Sequence, residues 1–598
     1  MKKKLLRGAV FGLILFCSDV QAQSALKNYS AGLPATDALG RKLPEYKQAG
    51  GIRKDKFVGL FYWTWHTLQA KDHEPYNVSE ILARKPAAIH DFKDPIWPTA
   101  SSPYFWAEPL FGYYIDTDEW VLRKHAEMLA DAGVDAIFFD CTNGDLTWKE
   151  SYMALCKAFT AARKDGIKTP QIAFMMAFGP SVETLKAMKE IYNDLYKPGL
   201  YEDLWFYWKG KPLIMAYPER LVPVPGDAAA TKLHAEMKAF FTFRPGQPVY
   251  NKGPERPDHW GWLEIYPQHG FVKQANGTFE QVTVGVAQNW SKERGLTAMN
   301  APNSFGRSYT DAKGQITSEG AVNHGYNFQE QWEHALKLDP ECIFITGWNE
   351  WIAGRYEEWQ QQKNAFPDEF SEEGSRDIEP MKGGHGDNYY YQMVSNIRRF
   401  KGMPPPPAAS APQTVTIDGK FEEWNKVMPV YQAHKGSTLH RDHPGWKGKH
   451  YTNSTGRNDI VAARMARDKK YVYCYVETAA PMTPATDKGW MRLFIDTDRN
   501  RETGWEGYDV VINRLNPSGK AILEKSAKGW NWQAAGQVDY AVQGNKLEIR
   551  IPRAMLGAGK LDFEFKWSDN MKEDGNIMDF LVNGDVAPAG RFNYRFSE

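Results

Sequence analysis

The chain has 598 residues, too many for one ordinary hydrophobic core, so two or more domains are expected. Lysine plus arginine and aspartate plus glutamate both number 73, and this balance leaves no basic surplus to hold nucleic acid or an anionic membrane surface. The 22 Trp and 29 Tyr supply either large cores or flat stacking surfaces.

Residues 1–22 read as an export signal. Lys2, Lys3, Lys4 and Arg7 form a basic start, 9–16 is an apolar stretch too short to span a bilayer, and Val20-Gln21-Ala22 fits a small-residue cleavage site. The expectation is a secreted, periplasmic protein cleaved near Ala22, with no transmembrane segment. Four cysteines follow, Cys141, Cys156, Cys342 and Cys474, without metal-ligand spacing, and they are expected as buried free thiols.

After an N-terminal segment at 23–50, residues 51–402 alternate strand-like and helix-like stretches. Strands are predicted at 57–63, 134–139, 171–178, 212–217, 240–243, 260–266, 282–287 and 342–348. Helices are predicted at 119–132, where Gly133 supplies a stop, and near 152–163, 182–195, 229–239 and 328–338. Such alternation implies a parallel sheet covered by helices, and eight units over about 350 residues match a (β/α)8 TIM barrel with insertions. A doubly wound open sheet is the alternative. No Gly-rich phosphate loop follows an early strand, so no cofactor is expected for catalysis.

Residues 403–412, Met-Pro-Pro-Pro-Pro-Ala-Ala-Ser-Ala-Pro, read as a stiff linker. Beyond it, 413–598 carries strand signals at 414–417, 471–476, 491–495, 508–512, 546–551 and 561–567 with little helical periodicity, as an antiparallel β-sandwich would.

In a barrel of this kind reactive groups sit at the C-terminal tips of the strands. The first tip carries Trp63, Trp65 and His66; the second Asp140 and Asn143; the sixth Glu264 and Tyr266; the seventh Asn289; the eighth Asn349, Glu350 and Trp351. An insertion adds Trp106 and Glu108. Carboxylates, amides and indoles with few cations suit a polyol better than a phosphate. Glycosidic cleavage needs two carboxyl groups, one protonated to release the leaving oxygen and one acting as nucleophile or base. Glu350 ranks first, with Asp140 or Glu264 as its partner, although each also has a structural reading as a helix cap or ion-pair member. The charged run Ser375-Arg376-Asp377-Ile378-Glu379-Pro380-Met381 is read as pinning the last helix rather than lining the site. No His-x-His, His-Glu-x-x-His or Gly-x-Ser-x-Gly occurs, against metal- or serine-based hydrolysis.

The run Ile345-Thr346-Gly347-Trp348-Asn349-Glu350-Trp351-Ile352-Ala353-Gly354 resembles the Asn-Glu-Trp segment of glycoside hydrolase families 71 and 99, which are (β/α)8 enzymes. The resemblance implies an acid at Glu350. Family 99 carries a second acid three residues on, where this chain has Ala353, which cannot transfer a proton. Either another carboxylate supplies the acid, or the activity differs, or catalysis is lost. The C-terminal part resembles family 9 carbohydrate-binding modules through Ile417-Asp418-Gly419-Lys420, Trp424, the run from Phe494 to Asn500, Thr503-Gly504-Trp505-Glu506-Gly507-Tyr508-Asp509 and Phe565-Lys566-Trp567. Asp496, Asp498 and Asn500 alternate like hard oxygen ligands for calcium or form an ordinary Asp-rich turn; Trp505 is either a sugar platform or a core indole. The sequence thus points to a secreted glycoside hydrolase acting on a poly- or oligosaccharide, with Trp63, Trp65, Trp106 and Trp351 as platforms and Asn143, Asn289 and Asn349 as hydroxyl readers. Its rivals are a non-catalytic glycan-binding protein on a degenerate barrel and, less compatible with export, a glycosyltransferase.

Overall fold

A computed structural model describes residues 26–67, 75–98, 103–557 and 559–598. The signal-peptide assignment lies outside these residues. No helix among them is long and apolar enough to cross a membrane.

The first part is a curled, mainly parallel sheet with helices packed on it. Its strands are β1 (Phe57–Tyr62), β2 (Ala136–Cys141), β3 (Gln171–Met176), β4 (Lys211–Met215), β5 (Thr242–Phe243), β6 (Trp260–Gly261), β7 (Phe279–Gly285) and β8 (Cys342–Thr346). Each overlaps a predicted hydrophobic run, but β6 is two residues where seven are predicted and pairs outside the main sheet, and Phe240, predicted to open the fifth strand, ends the helix before it. β1 sits at the centre, with Phe57 opposite Cys342 of β8 and Gly59 opposite Ala136 of β2. The parallel ladder continues from β2 to β3, β4 and β5 on one side and from β8 to β7 on the other. Strands buried on both faces read as unbroken apolar runs, and Ile137, Phe138 and Phe139 are indeed fully buried.

The ladder does not close around a full TIM barrel; the structure gives a half-barrel. Beyond β5 the chain continues into Gly246–Gln247, which pairs with β6. From β6 to β7 the described residues make no backbone ladder, because the Gln281 side-chain amide occupies the seam. Its Oε1 accepts from Gly261 N at 3.0 Å and its Nε2 donates to Gly261 O at 2.9 Å.

The crossover helices are α1 (Glu119–Ala132), α2 (Lys149–Lys164), α3 (Val182–Ile191), α4 (Ala228–Phe240), α5 (Tyr326–Leu338) and α6 (Asn388–Lys401). Asp118 caps α1 by accepting from Val121 N, and Gly133 ends it at φ +83°, a conformation that favours glycine. The four cysteines among the described residues are buried and free.

The second part is a nearly closed antiparallel sheet. Its long members are Ile460–Arg467, Tyr471–Thr478, Lys546–Pro552, Trp532–Gln543, Ala521–Ser526 and, on the far side, Arg492–Asp496 and Asp562–Asp569. Residues 414–417 are not a strand, contrary to expectation; Glu548 takes the Asp418 and Gly419 amides instead, drawing the segment into a turn. The longest strands that escaped the sequence reading are Ile460–Arg467, Ala521–Ser526 and Trp532–Gln543, whose apolar positions are spaced by charged and small residues; the shorter Arg441–Pro444, His450–Asn453 and Tyr594–Ser597 escaped it too. Buried ion pairs tie the two parts together: His434 Nε2 to Asp131 at 3.0 Å, Arg591 to Asp387 at 2.7 Å and Arg441 to Asp118 at 2.8 Å.

Candidate active site

A cleft of about 450 Å³ opens at the C-terminal tips of β1, β2 and β8. Of the residues singled out from sequence, Trp63, Trp65, Asp140, Asn143 and Glu350 line it. Asp368, Arg376, Trp148, Trp262, Arg355, Tyr356 and Trp446 line it as well, and none of these seven was selected from the sequence.

Glu350 leaves the tip of β8 and is 3% exposed. Arg376 grips it with two bonds, Nη2 to Oε1 at 3.0 Å and Nε to Oε2 at 3.2 Å, a bidentate geometry that fixes the carboxylate plane. The same guanidinium lies 3.5 Å from Asp368 and 3.7 Å from Glu369. The charged run at 375–381 therefore does more than pin the last helix, since it delivers the cation of the site. Burial pushes the Glu350 carboxyl above its usual range; Arg376 pulls it down, while Asp368 and Asp140 push it up. Glu350, Glu369 and Asp368 hold the Arg376 guanidinium charged, well above its already high ordinary value, against burial that works the other way.

Asp140 ends β2. Its Oδ1 accepts from Thr142 N at 3.1 Å, and its Oδ2 is buried with no protein partner among the described residues. Burial pushes its pKa from 3.8 up to about 7. Both carboxyls therefore resist ionisation, but they differ in what stabilises the anion. Glu350 has a two-point cation clamp; Asp140 has one hydroxyl-bearing neighbour, Thr142, and no cation within hydrogen-bond reach. Near neutral pH the pair retains protons, since burial raises Glu350 to about 8 and Asp140 to about 7; the Arg376 clamp favours the anion at Glu350, and Asp140 has no hydrogen-bonded cation among the described residues.

Indoles wall the cleft. Trp63 and Trp65 lie 4.2 Å apart between centroids, and Trp65 lies 5.1 Å from Trp148. Trp148 sits at φ +54°, an uncommon left-handed conformation for a bulky residue, where it caps α2 and turns its ring toward Trp65. Trp262 packs on Phe178 at 5.2 Å. The ring nitrogens of Trp63, Trp148, Trp262 and Trp446 and the Arg376 Nη1 are buried without protein acceptors among the described residues. Five such donors and the Asp140 Oδ2 acceptor thus belong to residues that line one cleft, a donor and acceptor set that suits a ligand bearing hydroxyls.

The remaining sequence candidates do not line the cleft. Asn349 bridges strand tips: Oδ1 accepts from Trp63 N at 2.9 Å, while Nδ2 donates to Trp63 O and Tyr114 Oη. Trp106 and Trp351 are buried and stack on each other at 5.4 Å, their ring nitrogens donating to Asp377 and Glu379. Glu264 is 1% exposed and holds the His269 backbone and ring at 2.8 and 2.9 Å, so its elevated pKa of about 7 reflects burial in a loop anchor. His66 is fixed to Asp116, Glu108 pairs with Lys382, Tyr266 packs edge-on against His334, and Asn289 is buried with its backbone carbonyl accepting from Thr297 N. In the second part Trp505 is buried and donates to Gly575 O. The acidic cluster there is Asp496, Asp498 and Asp509, with one oxygen from each within 4.8 Å of the others; the nearby Asn500 Oδ1 accepts from Glu502 N.

Neither the protein-family models nor the curated proteins contain a match to this chain. Among solved structures, the GH99 endo-α-mannosidase from Bacteroides thetaiotaomicron aligns over 58% of this chain and 98% of its own at 16% identity and a TM-score of 0.33. A structure described as a glycoside hydrolase covers 88% and 98% at 11% identity and a TM-score of 0.22. A glycoside hydrolase family 5 structure from Bacteroides vulgatus covers 75% and 90% at 9% identity and a TM-score of 0.22. These neighbours are glycoside hydrolases, but at such scores they decide nothing about the cleft, whose own chemistry has to carry its function.

Proposed function

We propose that the chain is a glycoside hydrolase acting on a poly- or oligosaccharide, with Asp140 as general acid and Glu350 as nucleophile or base. One observation supports this above the rest: a single indole-walled cleft holds a buried carboxyl without a cation and a second carboxyl clamped by Arg376. Asp140 would give its proton to the glycosidic oxygen as the bond to the anomeric carbon breaks. Glu350, ionised by the clamp, would stabilise or attack the positively charging carbon or activate the water that does so. Trp63, Trp65 and Trp148 offer ring faces, and Asn143 stands exposed at the rim as a hydroxyl reader. The acid missing at Ala353 is then supplied from β2, and Glu264 has no part in the chemistry.

Around that site we place a (β/α)8 barrel at 51–402, its seam bridged by Gln281, and a carbohydrate-binding-like domain at 413–598. Export to the periplasm through residues 1–22 belongs to the same reading. In the second domain three carboxylates suit calcium as hard oxygen donors, with Asp509 added to the Asp496, Asp498 and Asn500 set.

The test is product release from a panel of neutral oligosaccharides built from mannose, glucose, galactose and xylose, followed by mass and anomeric NMR. Wild type should cleave one class; Glu350→Gln and Asp140→Asn should bind it and leave it intact. Binding by all three proteins with no cleavage by any would transfer the assignment to the glycan-binding reading, which Ala353 motivates.

A further inference from the structure

The cleft is not built by the first part of the chain alone. A hairpin of the second part, Arg441–Pro444 paired with His450–Asn453, reaches across to it. Arg441 anchors the near strand: Nε donates to Asp118 at 2.8 Å, Nη1 donates to Phe111 O at 2.9 Å, and the guanidinium lies over the Trp120 and Tyr451 rings. Asp118 is also the cap of α1, so the latch and the start of that helix share one carboxylate. On the other strand the Tyr451 hydroxyl accepts from Tyr113 N at 2.8 Å. Its ring fills the space over Gly112, where an added Cβ would come within 2.6 Å of it. The tip is fixed too, with Trp446 N donating to Tyr113 O at 2.7 Å and Lys447 held at φ +47°.

These contacts make Trp446, itself 0% exposed, part of the lining of the cleft that Asp140 and Glu350 also line. Its ring meets Phe105 edge-on at 5.4 Å. Phe105 pairs in register with Ile352, two residues after Glu350. Its Nε1 is buried without a protein acceptor among the described residues, like those of the indoles around it. An indole N–H left unpaired in a buried wall is unfavourable unless a ligand oxygen completes it.

We infer that Trp446 belongs to a sugar subsite of the cleft, so that the second part of the chain is a structural half of the substrate site rather than a tethered module. The buried ion pairs Asp131–His434, Asp387–Arg591 and Asp118–Arg441 support this, since a tethered module needs no buried charge pairs to its neighbour. The inference rests on the glycan-cleaving reading above.

The test uses the full chain and the neutral oligosaccharide panel. Trp446→Leu keeps an apolar filler without the N–H; Trp446→Phe keeps a ring. In a Glu350→Gln background Trp446→Leu should weaken oligosaccharide binding about tenfold, the effect of losing one good contact, with Trp446→Phe in between. With Glu350 intact, KM should rise by a similar factor while kcat changes less, and the preferred chain length of the substrate should shorten. Folded Trp446→Phe and Trp446→Leu proteins with unchanged Kd and KM would overturn the inference alone. Absence of both binding and cleavage in wild type would remove the glycan reading and this one with it. If Trp446→Leu fails to fold, Trp446→Phe with unchanged Kd and substrate preference still counts against the subsite.

Discussion

Replacing Asp140 by Asn should stabilise the protein in alkali while abolishing its chemistry. The folded protein holds the Asp140 proton up to about pH 7 because burial raises its pKa from 3.8 to about 7. In the unfolded chain that proton leaves near the ordinary value. Between those two pH values the folded state binds one more proton than the unfolded state, so stability falls as pH rises, by about 1.36 kcal/mol per pH unit. Across the interval this amounts to roughly 4 kcal/mol, and water reaching the cleft will reduce it toward about 2 kcal/mol. Asparagine has no such proton and no such slope. Urea unfolding of wild type and Asp140→Asn at pH 4, 6 and 8 should therefore give curves that converge in acid and separate in alkali, the variant being more stable at pH 8. The same variant should lose about 10²–10⁴ in rate. Parallel pH dependences, within about 0.5 kcal/mol, would mean that Asp140 is ionised in the folded protein, and the assignment of the acid would collapse.

The pH–rate profile should fall on its alkaline side with an apparent pKa near 7, as Asp140 loses the proton it must donate; an alkaline limb that survives in a partly active Asp140→Asn protein would place the acid elsewhere. Arg376→Lys keeps a positive charge but loses the two-point grip on Glu350, so kcat should fall at least tenfold with oligosaccharide affinity in the Glu350→Gln background little changed. Calcium should raise the thermal unfolding temperature of the second part, and Asp498→Ala should cancel the increment; an identical melt with calcium and with chelator would leave Asp496, Asp498 and Asp509 as an acidic turn. The cleft's two cations, Arg355 and Arg376, face Asp140, Asp368 and Glu350, so sulfated or uronate-rich chains should be cleaved more slowly than neutral ones of equal length, as competition kinetics would show.

The strands were legible because parallel strands buried on both faces must be apolar throughout, and runs such as Ile137-Phe138-Phe139 and Cys342-Ile343-Phe344-Ile345 leave little choice. Asp140 and Glu350 were legible for the same reason: a carboxylate that ends such a run is carried to the sheet's edge. What lay on loops was not. Asn349 and Trp351 flank Glu350 in sequence, yet the chain turns sharply at Gly347, φ +108°, and sends one to bridge the β1 tip and the other inward to Glu379. Arg376 and Asp368 were hidden by the opposite circumstance, since 26 residues separate Arg376 from Glu350 and only the folded return of the loop joins them. A lone arginine in a run otherwise rich in acids was the available signal. Trp446 gave none, because its place depends on packing between two parts that the Pro-rich linker makes look independent.

The displaced acid follows from the backbone after Glu350. Ile352 and Ala353 form a short strand antiparallel to Tyr104–Phe105, so the three residues after Glu350 are spent in pairing with the insertion rather than in winding a turn at the cleft. That pairing brings Phe105 beneath Trp446 and commits the insertion to the site wall. The backbone three residues downstream of Glu350 is therefore held in a strand register, and restoring a carboxylate at that position should not restore or double the activity. Asp140, by contrast, stands on β2, two strands from β8 across β1, and its placement is set by the central parallel ladder. The expected outcome is that Ala353→Glu in an Asp140→Asn background stays inactive while it remains folded. Recovery of cleavage with a pH optimum like that of wild type would show instead that the position is competent, and that Asp140 is one of two interchangeable sources of the proton.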